Sequence, residues 1–110
     1  MVDYIESFRP AYPLDDIRAA AAQHRIRYEG RKVSSNIRSL LYTLEDVANC
    51  ISGLQTRQFK KSLKYKDSSC YDVYIRDFRH DEDKPADRIY MKLRLLNTGQ
   101  LEIGIGSFHV

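Results

Sequence analysis

Ile89-Tyr90-Met91-Lys92-Leu93-Arg94-Leu95 reads as a strand with one apolar and one polar face. Ile89, Met91, Leu93 and Leu95 alternate with Tyr90, Lys92 and Arg94, the period of two that a half-buried strand requires. Asn97-Thr98-Gly99-Gln100 then makes a turn. After it Leu101, Ile103 and Ile105 alternate with Glu102, Gly104 and Gly106, which predicts a second strand antiparallel to the first. The apolar sets of both strands face one layer. Tyr90, Lys92 and Arg94 face the other way, beside a bare strip at Gly104 and Gly106. Strand interiors avoid glycine, so two in one register suggest a bulge, a ligand that approaches closely, or a bend in a small curved sheet. Strict alternation puts His109 with Ile103 and Ile105, on the side opposite Tyr90. The terminus must bend or bulge for the two to meet.

Working back, Cys70–Ile75 is a further strand, and Arg76–Arg88 is a long polar loop holding Asp81-Glu82-Asp83 and Pro85. Loops of that length are usually functional or mobile. His80 sits beside these acids, but adjacent exposed residues rarely converge on one metal ion.

Before Asp67 the apolar period is helical. Met1–Tyr12 is a polar leader with Phe8 and Tyr12 as anchors. Pro13 opens a helix to His24, with Asp15 and Asp16 at the favourable end of its dipole and Leu14, Ile17 and Ala21 on one side. Ser34-Ser35-Asn36 caps a short helix carrying Ile37, Leu40 and Leu41. Thr43 and Asp46 form a near capping box before the Leu44, Val47 and Ile51 stripe, which Gly53 stops. Thr56 caps one more short helix, with Phe59 and Leu63 inward and Lys60 and Lys61 at the rim. The predicted fold is α+β, with N-terminal helices packed on a small antiparallel sheet.

With 110 residues the chain forms one domain with one modest core. Its 43% hydrophobic and 30% charged residues suit a soluble globular protein. Net charge is only +3, so local distribution matters more: Lys60, Lys61, Lys64 and Lys66 form a basic cluster. Cys50 and Cys70 are too few for a disulfide framework or a zinc site, which favours a reduced, cytoplasmic protein. No apolar run approaches the ~20 residues of a membrane span.

The chemistry-bearing residues are lysines and tyrosines rather than carboxylate clusters, phosphate loops or a Ser/His/Asp set. Cations and donors without a metal suit a polyanion. RNA is the leading substrate, because its 2′-OH supplies the nucleophile. Cleavage then needs a base near the 2′-OH, an acid near the leaving 5′-oxygen and positive charge around phosphorus. Lys61 supplies the cation. A tyrosine such as Tyr90, with a free pKa of about 10, is a poor base unless nearby cations depress it. It can instead orient phosphate or stack on a base. His109 suits proton transfer near neutral pH.

The order Leu44-Glu45-Asp46-Val47, Ile51-Ser52-Gly53-Leu54, Phe59-Lys60-Lys61-Ser62-Leu63, Asp72-Val73-Tyr74, Ile89-Tyr90-Met91-Lys92-Leu93 and Ser107-Phe108 resembles the MqsR family of bacterial toxins. The resemblance runs from about Leu14 to His109. It implies a RelE-like α+β fold and a ribosome-independent mRNA interferase, a toxin neutralised by a cognate MqsA-like antitoxin, with no cofactor. The family's helical catalytic lysine falls on Lys61 and its catalytic tyrosine on Tyr90. A family glutamine falls on Tyr71 and a family terminal lysine on His109, both departures. The implied catalytic set is Lys61, Tyr90, His109 and Tyr71, with Lys60, Lys64, Lys92 and Arg94 binding RNA and no metal ligands. The competing readings are a non-catalytic RNA-binding module and a protein-interaction domain whose exposed strand a partner completes.

Overall fold

The computed structural model describes residues 3–110. Its elements are β1 (Tyr4–Ser7), α1 (Leu14–Ala22), β2 (Ile26–Tyr28), α2 (Arg31–Ser39), α3 (Leu44–Ser52), a 3-10 turn (Thr56–Gln58), β3 (Phe59–Tyr65), β4 (Cys70–Phe78), β5 (Asp87–Asn97) and β6 (Leu101–His109). The six strands form one sheet in the order β1-β3-β4-β5-β6-β2. Every neighbouring pair is antiparallel except β2 with β6. The fold is α+β, as the alternation of β5 and β6 predicts.

That alternation builds the core. Ile89, Met91 and Leu93 of β5 are fully buried, as are Ile103 and Ile105 of β6. They pack with Ile17 and Ala21 of α1, Val33 and Ile37 of α2, and Val47 and Ile51 of α3. The helices therefore cover one face of the sheet and leave the other open. α3 begins where the sequence places it: Asp46 N–H donates to Thr43 Oγ1 at 3.1 Å, and Thr43 N–H donates back to Asp46 Oδ2 at 2.8 Å. Leu44, assigned to its apolar stripe, is instead 44% exposed.

The helix predicted after Thr56 does not form. Only Thr56–Gln58 turns, and Phe59–Tyr65 is a strand between β1 and β4. Phe59 and Leu63 fit a helical spacing, but Lys61, Leu63 and Tyr65 fit a spacing of two just as well. Short apolar runs leave this choice to tertiary pairing, and β4 supplies the partner. Lys61 consequently stands on a strand, not a helix. Ser34, Ser35 and Asn36 lie inside α2, whose first turn begins at Arg31 after Gly30. Leu41 is exposed.

The long loop also contracts. β4 runs on to Phe78 and β5 starts at Asp87, so 79–86 connects them. His80 packs against Tyr42, with ring centroids 4.6 Å apart, and its Nδ1 lies 3.7 Å from Asp46. In the polar leader, Met1 and Val2 lie outside the described residues, while Tyr4–Ser7 is an edge strand on β3. Phe8 is 77% exposed and anchors nothing. Tyr12 does anchor, donating from its hydroxyl to the Cys70 carbonyl at 2.8 Å.

A buried carboxylate fastens this N-terminal segment. Asp72 of β4 has no exposed surface. It accepts from the backbone N–H groups of Ala11 and Tyr12 at 2.9 and 3.0 Å and from the Ser62 hydroxyl at 2.6 Å. Three donors match one desolvated anion, and removing the anion strands them all. Asp72→Ala is expected to cost on the order of 3 kcal/mol in urea unfolding. An unchanged midpoint would show that the carboxylate does not hold residues 11 and 12.

Candidate functional site

The open face of the sheet carries the chemistry. Since Ile89, Met91 and Leu93 point to the helices, Arg88, Tyr90, Lys92 and Arg94 of β5 point away from them. Register places their neighbours. Lys61 of β3 pairs with Val73 of β4, Val73 with Lys92, and Lys92 with Ser107 of β6. The adjacent row runs from Ile75 through Tyr90 to His109.

His109 reaches this row because β6 contains a bulge. Ser107 pairs with Lys92, but the next pair is Ile105 with Leu93, so Gly106 is an extra residue. Ile105 and Phe108, three apart, are both buried, whereas without the bulge burial would fall on alternate residues. Ser107 and His109 are thereby turned onto the open face. The His109 and Tyr90 rings stack, with centroids 5.1 Å apart and planes 22° from parallel. The strip at Gly104 and Gly106 is not bare. A Cβ at residue 106 would lie 2.7 Å from the Tyr71 ring, and one at residue 104 would lie 2.9 Å from the Glu29 carboxyl group. Gly106 thus gives room to the Tyr71 ring, and Gly104 to the end of the Glu29 side chain.

Lys61 stands on the β3 side of this row. Its Nζ donates to Glu6 Oε1 of β1 at 2.8 Å. This hydrogen bond raises the Lys61 pKa above its ordinary value, and the charge of the Glu6 carboxylate acts in the same direction. Lys61 and Tyr90 stand in adjacent rows of the face, Lys61 paired with Val73 of β4 and Tyr90 with Ile75. Lys92 Nζ donates to the Tyr65 hydroxyl at 3.0 Å.

A second cluster occupies the other end of the face. Glu29 Oε1 accepts from the Tyr71 hydroxyl at 2.9 Å, and Arg94 Nε reaches Glu29 Oε2 at 3.0 Å. The Arg94 guanidinium lies 5.2 Å from the centre of the Tyr71 ring. Burial, and then the bond to Glu29, pushes Tyr71 up to about 12. Its phenol stays protonated at neutral pH and can donate, but it does not serve as a base. A pocket of about 350 Å³ opens here, lined by Glu29, Tyr65, Tyr71 and Lys92 among others.

Of the candidate residues, the structure brings Lys61, Tyr90, His109 and Lys92 to one stretch of the face. Tyr71 and Arg94 lie in the second cluster, and Arg94 is tied to Glu29. Lys64 is a correction: on β3 it alternates with Lys61 and points to the opposite side, exposed. Lys60 lines a notch at the sheet edge. Among the described residues, no three His, Cys, Asp or Glu side chains gather closely enough to hold a metal ion. No described helix is long and apolar enough to cross a membrane.

The family described as motility quorum-sensing regulator, toxin of MqsA, matches residues 9–109. The chain belongs to that family. It is a toxin of the MqsR type, and the description implies an MqsA-type antitoxin as partner. None of the curated proteins is significantly similar to the chain. The matched range contains every candidate residue from Lys60 to His109 and begins after β1, so Glu6 lies outside it.

Glu6, Glu29 and Tyr65 of this MqsR-family chain were missed by sequence reasoning. Tyr65 was legible, since it continues Lys61 and Leu63 at a spacing of two. Glu6 and Glu29 gave no signal, because both act on residues more than forty positions away.

The Glu6 pair makes a measurable claim. A raised pKa leaves less free amine on Lys61 below the ordinary lysine value of about 10.4. At about pH 9, Glu6→Gln should therefore speed labelling of Lys61 by an amine-reactive reagent, read by peptide mass spectrometry. An unchanged Lys61 rate would show that the ion pair does not persist in solution.

Proposed function

We propose that this MqsR-family toxin is an endoribonuclease that cleaves single-stranded mRNA by attack of the 2′-OH on the adjacent phosphorus, so that translation and growth stop until the antitoxin binds. The observation that carries the reading is the Tyr90–His109 stack in the row next to Lys61, on the face that the helices leave uncovered. An open sheet face admits a polymer strand along its length, and the residues that converge there are the ones such a reaction needs. The toxin acts in the cytoplasm, where its mRNA substrate is.

In the reaction the 2′-oxygen bonds to phosphorus and the P–O5′ bond breaks, leaving a 2′,3′-cyclic phosphate and a 5′-OH. Lys61 stabilises the charge that develops on the non-bridging oxygens. Tyr90 donates to the same phosphate and offers its ring to a base. Glu6, the carboxylate beside Lys61, accepts the 2′-OH proton, and His109 delivers a proton to the leaving 5′-oxygen. Tyr71, kept as a phenol by burial and Glu29, borders the pocket at the second cluster and positions the RNA strand there. All of these steps use side chains of the chain itself.

A non-catalytic RNA-binding reading draws on one observation: carboxylates already occupy Lys61 and Arg94. Purified protein incubated with single-stranded RNA in EDTA separates the two. Cleavage with 5′-OH products is expected, and a substrate that is 2′-deoxy at the cut position should bind and stay intact. Binding without cutting, or 5′-phosphate ends, would contradict the mechanism. Lys61→Ala should lower the single-turnover rate by about 10²–10³, the usual effect of removing one stabilising contact. Tyr90→Phe should lower it more than Tyr74→Phe, because Tyr74 is buried in the core against the helices. Equal rates for the two would deny the Tyr90 hydroxyl a role.

A further inference from the structure

β3 leaves β4 early. Their last pair is Phe59 with Tyr74, next to a register shift, while β4 continues to Phe78 paired only with β5. The vacated edge forms a notch of about 310 Å³ below the 3-10 turn. Four cations line it, Arg57, Lys60, Arg76 and Arg88, against a single acid, Asp77.

These cations differ in how they are held. Arg76 is fixed: its Nη1 donates to the Cys50 carbonyl at 2.9 Å, and a Cβ on residue 53 would lie 2.7 Å from that nitrogen, so Gly53 makes room for it. Among the described residues Arg57 and Lys60 have no carboxylate partner. Arg88 reaches Asp77 only at 3.9 Å, with both side chains about 70% exposed, and such pairs are weak. The notch is therefore a concave surface with excess positive charge that the fold does not neutralise. It joins the open face at two points. Ile75 lines it and pairs with Tyr90, and Arg88 stands two residues from Tyr90 on the same side of β5.

We propose that this notch binds the phosphodiester backbone of the RNA strand flanking the nucleotide held at Tyr90. The inference rests on the ribonuclease reading and adds a site to it. Several cations with one acid suit a repeating anion, and Arg57 and Arg88 can each meet a phosphate through two N–H groups. Because the notch shares Ile75 with the Tyr90 row and Arg88 stands in the next row on the same side of β5, a strand lying across these rows runs into it.

The test uses the full chain and a short single-stranded RNA, 2′-O-methylated so that it cannot be cut. Fluorescence anisotropy across a salt series gives affinity and its salt slope. Arg57→Ala and Arg88→Ala should each weaken binding several-fold and reduce the slope by about 0.7, the contribution of one phosphate contact on a single strand. With cleavable RNA their effect should fall on KM more than on kcat. Arg76 is left unchanged because it holds the end of α3. If the wild-type protein cuts RNA and both variants bind with unchanged affinity and slope, the notch serves another partner and the inference fails alone. If the wild type binds RNA through Arg57 and Arg88 without cutting it, the inference stands and the ribonuclease reading falls. Failure of the wild type to bind RNA would overturn both.

Discussion

Side chains alternate across a strand, and one extra residue in β6 decides what the open face contains. Without the bulge at Gly106, His109 would join Ile105 against the helices and Phe108 would be pushed into solvent. With it, Phe108 keeps its place in the core and His109 turns to stack on Tyr90. Burial of Phe108 is worth about 1.5–3 kcal/mol relative to exposure. The core therefore favours the register shift, and His109 comes to the open face as a consequence. The same glycine admits the Tyr71 ring, so the bulge also sets the second cluster.

Charge on this face is sorted by partner. Lys61 and Arg94 each hold a carboxylate, Glu6 and Glu29, and neither of those carboxylates comes from the strands that carry the cations. β1 and the segment after β2 bring them from the two edges of the sheet. The arrangement keeps the cations oriented and charged, at the cost of lowering the net positive potential at the centre. Lys92 has a hydroxyl rather than a carboxylate beside it. Arg57 and Lys60 at the notch have no acid partner among the described residues. Paired and unpaired cations are thus separated: carboxylates of the protein hold Lys61 and Arg94 on the face, and none among the described residues holds Arg57 or Lys60 at the edge.

Much of this was legible in the sequence, and the failures have physical causes. The period of two in 89–95 and 101–105 gave β5, β6 and the apolar core. Thr43 and Asp46 gave the start of α3, because a capping box is a purely local device. The need for a bulge to bring His109 to the side of Tyr90 could be read as well. β3 was misread because Phe59 and Leu63 satisfy both periods, and the pairing that decides between them comes from β4. Lys64 was misplaced for the same reason: on a helix it could share a rim with Lys60 and Lys61, but on a strand it alternates to the other side. Glu6 and Glu29 were invisible because their partners are long-range.

The N-terminal edge shows how such distant contacts can still be made dependable. β1 is four residues long and pairs only with β3, so its own hydrogen bonds fix it weakly. Its position is reinforced from both sides. Tyr4 packs edge-on against Tyr65, with ring centroids 5.7 Å apart, and Asp72 holds residues 11 and 12 where the chain enters α1. Asp72 also binds Ser62, the residue next to Lys61 on β3. One buried carboxylate therefore couples the chain leading out of β1 to the strand that carries Lys61. The Glu6–Lys61 contact spans 55 positions in sequence, yet it closes between two segments already tied together. A surface ion pair alone is worth little. Here the backbone constraint supplies the geometry, and the pair only has to set the charge.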